Sequence, residues 1–339
     1  MRALAIVLTV LTVSACGRFG FDENRPADAA SSEPQICNAR MIGSLPLTGA
    51  PVKLRATPLS TGHALAVQTD AIDTHLARLD ATDTVVSTHM TFFGNYALQA
   101  ISEVADRPFV YVFVAGAGYI KLVTSDWNTY DTGPSGEQRE LDPQQVLAPD
   151  GTFAISGVIA AGTLKIQNID VNNTILGQAD YAPFASFASF GAIPSGARVV
   201  VENGGSCETF TIDLDGKTGP RHAFAPCFEP RIATLGSEGA AIYRTSVDGP
   251  YALHQIPANA NDPGTMTPLE VATNPRIATI DGAIWVGYLR NNALRLVRFA
   301  GDDVTMHDDP SITTVFDLLP SGLFWVTSSG ELHAGTPCS

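Results

Sequence analysis

The chain of 339 residues carries 34 acidic against 20 basic side chains, a formal charge of −14 at neutral pH. So acidic a protein has no electrostatic affinity for nucleic acid or an anionic lipid surface, and those partners are set aside. Its length suits one large β domain or two ordinary ones.

Arg2 is followed by an apolar run from Ala3 to Leu11 and then by small residues up to Cys16. A charged start, a short apolar core and a small-residue cleavage site mark a secretory signal, too short to span a bilayer. Val13-Ser14-Ala15-Cys16 resembles the bacterial lipobox. That resemblance implies cleavage before Cys16 and acylation of its thiol. Gly17, rather than Asp, follows the cysteine, and by the same likeness to enteric lipoproteins this implies the outer membrane. The segment from Glu23 to Gln35 is rich in Ala, Ser, Pro and acids, with too little apolar surface to offset chain entropy. The expected division is therefore a signal peptide over 1–15, an acylated tether over 16–36 and a folded domain over 37–339. No later apolar run approaches bilayer length, so the lipid on Cys16 is the one expected membrane contact.

Within the folded domain, Pro230-Arg231-Ile232-Ala233-Thr234 recurs letter for letter at Pro275-Arg276-Ile277-Ala278-Thr279, 45 residues later. Periods of about 40–50 residues mark repeat architectures. A richly apolar segment returns at Ala64, Phe109, Phe153, Arg198, Ala240, Ala283 and Leu323, with steps of 45, 44, 45, 42, 43 and 40 residues. Each copy is followed by an alternating segment, as at His75-Leu76-Ala77-Arg78-Leu79 and Thr209-Phe210-Thr211-Ile212. Period-two alternation bounded by Gly, Asp, Asn and Pro predicts strands joined in hairpins. Turns such as Pro194-Ser195-Gly196, Asp281-Gly282 and Pro320-Ser321-Gly322 precede the apolar segments and supply the backbone angles tight turns need.

Four strands per unit without helices resemble β-propellers in general, over residues 37–339. The expected fold is all-β: a monomeric, seven-bladed β-propeller of four-stranded antiparallel blades. The last unit reaches Ser339 after its third strand, and Asn38–Leu45 is expected to supply the fourth and close the ring, removing an open edge. Closure brings Cys37 beside Cys338. Cys207 and Cys227 are symmetrical about Lys217 and are expected to face one another across a hairpin. An exported chain with this even set of cysteines predicts two disulfides.

The seven histidines lack the paired spacings of zinc sites, and Asp213-Leu214-Asp215-Gly216 lacks the further acids of a calcium loop. No cofactor or metal is expected, and no catalytic residue is assigned. Aligned by their turns, Arg55, Arg231 and Arg276 fall near the channel mouth, where guanidinium groups are suited to bind a carboxylate, phosphate or sulfated glycan. Pairing of each arginine with an acid or carbonyl between blades is the competing expectation. Phe93, Tyr96, Tyr181 and Phe184 form a candidate aromatic contact for sugar or peptide, whereas Phe187 and Phe190 are expected in the core. The fold alone does not choose among activities. The reading is a binding or scaffold module whose ligand is an envelope protein, peptide or glycan, with an enzyme acting on an envelope polymer at the channel mouth as its rival.

Overall fold

In a computed structural model, the described residues are 36–339 except 60, 72, 93–95, 105–106, 115–116, 124–129, 133–145, 148–152, 161–162, 171–174, 182–186, 225, 259–263, 270–272, 301–302, 310–311, 313 and 339. The described part begins with β1 (Ile36–Ser44), whose first residue falls in the segment expected to be tether. There follow β2 (Pro51–Leu59), β3 (Gly62–Thr69), β4 (Asp73–Leu79) and β5 (Val85–Phe92); then β6 (Tyr96–Val104), β7 (Arg107–Val114), β8 (Ala117–Val123) and β9 (Tyr130–Thr132). The next groups are β10 (Val146–Leu147), β11 (Phe153–Ala160), β12 (Thr163–Asp170) and β13 (Ile175–Tyr181), and β14 (Phe187–Ile193), β15 (Gly196–Asn203), β16 (Ser206–Asp213) and β17 (His222–Phe224). After these come β18 (Phe228–Leu235), β19 (Glu238–Arg244), β20 (Tyr251–Ile256) and β21 (Met266–Pro268), and β22 (Thr273–Ile280), β23 (Ala283–Arg290), β24 (Ala293–Ala300) and β25 (Asp303–Asp309). The last are β26 (Phe316–Leu319), β27 (Gly322–Val326) and β28 (Glu331–Pro337).

Each group of four from β2 to β25 is one antiparallel sheet in chain order, and the seventh sheet has the order β1-β28-β27-β26. β1 pairs with β28 from Ile36↔Pro337 to Ser44↔Glu331. The leading strands lie beside one another: β2 touches β6 and β26, β14 touches β10 and β18, and β22 touches β18 and β26. Second strands lie between neighbouring sheets on both faces, which is why their sequences are nearly unbroken apolar runs. All but the last residue of β15 are buried, whereas β16 alternates.

The cores lie in the joints between successive sheets. Leu164, Ile166 and Tyr181 of one sheet meet Phe190, Val199 and Phe210 of the next. Trp285 and Leu296 meet Phe316 and Trp325. The last sheet packs in the same way on the first, with Phe324, Val326 and Leu332 against Leu54, Leu65 and Leu79.

Both cysteine pairs are at disulfide distance, with Cα separations of 5.1 Å for Cys37–Cys338 and 5.5 Å for Cys207–Cys227. The second pair has a different geometry from the expected hairpin. Cys207 stands opposite Phe224 in the ladder, and Cys227 lies beyond β17, its N–H donating to Gly205 O at 3.0 Å. The cause is the turn. Asp213 closes it early by accepting from Gly216 N–H through its carbonyl and from Lys217 N–H through its carboxylate, which moves the hairpin centre off Lys217.

Candidate functional site

The repeated pentapeptide sits on a recurrent backbone kink. Glu229 and Asn274, each just before the proline, have φ of 49° and 53°, in the left-handed region. The ladders of β18 and β22 shift register there, between Phe228 and Arg231 and between Thr273 and Arg276. A bulge of this kind bends its strand and re-aims the side chains that follow. β2 shifts likewise between Pro51 and Lys53.

Counted back from their hairpins, Arg55, Arg231 and Arg276 occupy the same position, four residues before the last residue of β2, β18 and β22. Arg55 and Arg276 are buried and fold back alike, each donating from Nη1 to the preceding carbonyl, Leu54 O at 2.9 Å and Pro275 O at 2.7 Å. Arg231 lies over the Phe187 ring, 5.6 Å from its centroid.

Arg276 Nε is 2.7 Å from Asp317 Oδ1, an ion pair buried between β22 and β26. Its geometry is off the hydrogen-bond line, and Arg276 Nη2 also has no hydrogen-bond partner among the described residues. Asp317 Oδ2 accepts the Ala56 N–H of β2 at 2.7 Å, and Oδ1 accepts its neighbour Leu318 N–H at 3.1 Å. One carboxylate thus joins three leading strands. Burial pushes the Asp317 carboxyl up, and Arg276, the two amides and Arg231 pull it back. Asp317 stands where the other units have Thr57, Ser102, Gly191, Ala233 and Ala278, so an acid in a strand position otherwise filled by small uncharged residues was the available signal for it.

The repeated threonines have the same employment in both copies. Thr279 donates its hydroxyl to Thr234 O at 2.6 Å, and Thr234 donates to Ala192 O, so each ties its leading strand to the one before. Ser189 Oγ accepts Ile232 N–H at 3.1 Å, the counterpart of the Asp317–Ala56 contact.

Tyr181 is not presented on a face. It is 2% exposed in a sheet joint, stacked on Phe210 at 5.9 Å with its hydroxyl donating to Glu208 Oε2 at 3.1 Å. Burial and the Glu208 carboxylate push its phenol up to about 12. Its ring is large apolar surface, and the neighbouring sheet is where that surface leaves water. Phe190 is buried as expected and Phe187 half-buried beside it. Tyr96 opens β6 opposite Val114. Phe93, Phe184 and Cys16 lie outside the described residues.

A second buried cluster gathers on Asp73 at the start of β4. Its carboxylate accepts from the hydroxyls of Thr48 and Thr69 and lies 3.0 Å from His75 Nε2, with Asp73 and His75 both buried. No group of three or more His, Cys, Asp or Glu side chains among the described residues is placed to hold a metal ion.

This arrangement of sheets is shared with known structures. A chain of the crystal structure of BBS1N in complex with ARL6DN aligns over 90% of this chain and 97% of its own, with 12% identity and a TM-score of 0.54. A chain of the Mitotic Checkpoint Complex aligns over 100% and 99%, with 13% identity and a TM-score of 0.57. The fold is a β-propeller. A chain of hydrazine synthase from Kuenenia stuttgartiensis aligns over 86% and 97%, at 15% identity and a TM-score of 0.58. At such identities the likeness is one of fold alone. Neither protein-family models nor curated protein sequences match the chain.

Proposed function

We propose that this protein is an exported, lipid-anchored, seven-bladed propeller that serves as a binding or scaffold module at the cell envelope. Its contact face is the end at which the chain enters each blade. The observation that carries the reading is the use of polar groups at the joints. The Arg276–Asp317 pair and the hydroxyls of Thr234, Thr279 and Ser189 are spent on holding leading strands together. A frame that consumes its polar groups internally leaves the segments at its ends to meet a partner, which is where binding residues commonly sit. β1 beside β28, and the last sheet packed on the first, support closure into a ring.

Two of the fold's neighbours come from structures of complexes, one with ARL6DN and one a checkpoint assembly, and a protein partner is the corresponding expectation here. Phe93, Tyr96 and Phe184 remain the candidate aromatic contacts, and acylated Cys16 is the proposed tether to the outer membrane. A photo-crosslinking residue placed at Val247 or Asn291, in turns on that face, should trap an envelope component, and one placed at Ser237 on the opposite end should not. Equal trapping from both ends would reject the assigned face. Palmitate-analogue labelling that survives Cys16→Ser would reject the anchor.

A further inference from the structure

Three side chains from two sheets meet at the other end of the strands, away from the proposed contact face. His63 is the second residue of β3, Asp83 lies in the β4–β5 turn, and Ser321 lies in the β26–β27 turn. His63 Nδ1 is 2.7 Å from Asp83 Oδ1, and His63 Nε2 is 2.8 Å from Ser321 Oγ. An ionised carboxylate only accepts, so it assigns the imidazole hydrogen to Nδ1 and leaves the Nε2 lone pair for the serine O–H. Hydroxyl, imidazole and carboxylate in that order make an activated nucleophile on any fold.

Each member is held by its surroundings. Asp80 builds the β4–β5 turn: its Oδ1 accepts from Thr82 N–H at 2.8 Å and Thr84 N–H at 3.0 Å, and its carbonyl accepts Asp83 N–H at 3.0 Å. Arg40 of β1 donates to Thr82 O at 2.9 Å and pairs with Asp83 Oδ2 at 3.1 Å. The His63 ring lies 5.1 Å from that of Phe324. Gly322, which ends the serine's turn at φ 141°, leaves no room for a side chain, since a Cβ there would sit 2.6 Å from Gly335 O.

The repeat accounts for the serine and not for the histidine. Pro194-Ser195-Gly196 makes the same turn between β14 and β15 as Pro320-Ser321-Gly322. The position of His63, second after a two-residue hairpin loop, is filled elsewhere by Pro108, Ala197, Gly239, Ile284 and Leu323. One unit departs from a small or apolar residue to a histidine, and that histidine bridges a carboxylate of its own sheet to a hydroxyl of the next.

We propose that Ser321 and His63, positioned by Asp83, form an acyl-transfer site that hydrolyses small, unhindered carboxylic esters. This activity goes beyond the binding role and is independent of it. Ser321 is exposed, so the site suits a substrate that needs no deep enclosure. Ser321 Oγ bonds to the ester carbonyl carbon while its proton passes to His63 Nε2. The carbon–alkoxy bond then breaks, and the leaving oxygen takes that proton as free alcohol. Water adds to the acyl-serine and gives a proton to Nε2. The Oγ–carbon bond breaks, Oγ recovers the proton, and the acid leaves.

The test treats the full chain with a fluorophosphonate probe and, separately, with p-nitrophenyl acetate. The label should map to Ser321, and ester hydrolysis should fall by about 100-fold or more in Ser321→Ala and His63→Ala, the scale of general-base catalysis. Asp83→Asn should also alter the pH profile of hydrolysis, which a purely structural residue would leave unchanged. Ser195→Ala, in the matching turn without a histidine, should label and react as the parent does. Absence of label on Ser321 in the parent chain, or unchanged hydrolysis in a folded Ser321→Ala protein, would overturn the proposal.

Discussion

Replacing Asp317 by Asn tests whether one buried carboxylate ties three leading strands together. Asparagine retains an acceptor for Ala56 N–H and nearly the same volume, so the change removes charge more than packing. What remains is the Arg276 guanidinium, 6% exposed, without its counter-charge. Breaking one side of a buried pair costs about 3–5 kcal/mol. That is a large share of the roughly 5–15 kcal/mol that holds a typical protein folded. Burial works against both charges, pushing Asp317 up and Arg276 down, so the pair itself contributes little beyond what its separation would cost. Arg276→Met combined with Asp317→Asn should therefore be less destabilised than the two single changes added together, by about 2–3 kcal/mol, within the range of contacting residues. Urea unfolding followed by fluorescence of Trp285 and Trp325, buried in the adjoining core, gives the midpoints. A loss below about 1 kcal/mol for Asp317→Asn, or strict additivity in the cycle, would refute the reasoning, because either means the carboxylate is not desolvated against the guanidinium.

Burial raises the Asp73 carboxyl, but hydrogen bonds from Thr48, Thr69 and His75 outweigh it and hold the group below its ordinary value. Its contribution is thus full above the unfolded value of about 3.9 and lost as pH falls through the folded value, so Asp73→Asn should flatten the acid limb of a plot of urea midpoint against pH. The Cys37–Cys338 bridge spans 301 residues and Cys207–Cys227 spans 20. On the chain-entropy account these stabilise by about 6 and about 3 kcal/mol, so Cys338→Ala should lower the unfolding midpoint more than Cys227→Ala, with non-reducing peptide mapping confirming the pairs. Thr279→Val keeps the shape and removes the hydroxyl bonded to Thr234 O, and should cost about 1 kcal/mol in the same unfolding assay.

The pentapeptide was legible because its proline, alanine and threonine meet the same surroundings twice. Its proline follows a left-handed bulge residue, its alanine is buried at the joint, and its threonine reaches the previous leading strand. Period and turn residues therefore exposed the strands, and the position of the cysteines exposed their pairing. The Cys207–Cys227 geometry was misjudged because a symmetrical count assumes an unbroken ladder, and Asp213 closes the turn early. Tyr181 was misjudged for a related reason. Composition shows that an aromatic is present, but the face it covers depends on the neighbouring sheet.

What the sequence hid are the contacts that join units not adjacent in the chain. Asp317 accepts from Ala56 across 261 positions, and Ser321 meets His63 across 258. A search for paired histidines on one element is blind to such partners, since it tests spacing along a strand and not proximity across a joint. The repeat nevertheless provides the instrument. Once units are aligned by their two-residue hairpin loops, His63 stands against Pro108, Ala197, Gly239, Ile284 and Leu323, and Asp317 stands against Thr57, Ser102, Gly191, Ala233 and Ala278, small residues without charge. A repeated frame makes each unit the control for the others, because the physical demand at an aligned position is the same. Polar departures from that shared demand carry a desolvation cost that a partner has to offset, and both of these departures have one. In Asp317 the partner is the frame itself; in His63 the partners are a carboxylate of its own sheet and a solvent-exposed hydroxyl of the next, which is why the second departure points to chemistry and the first to stability.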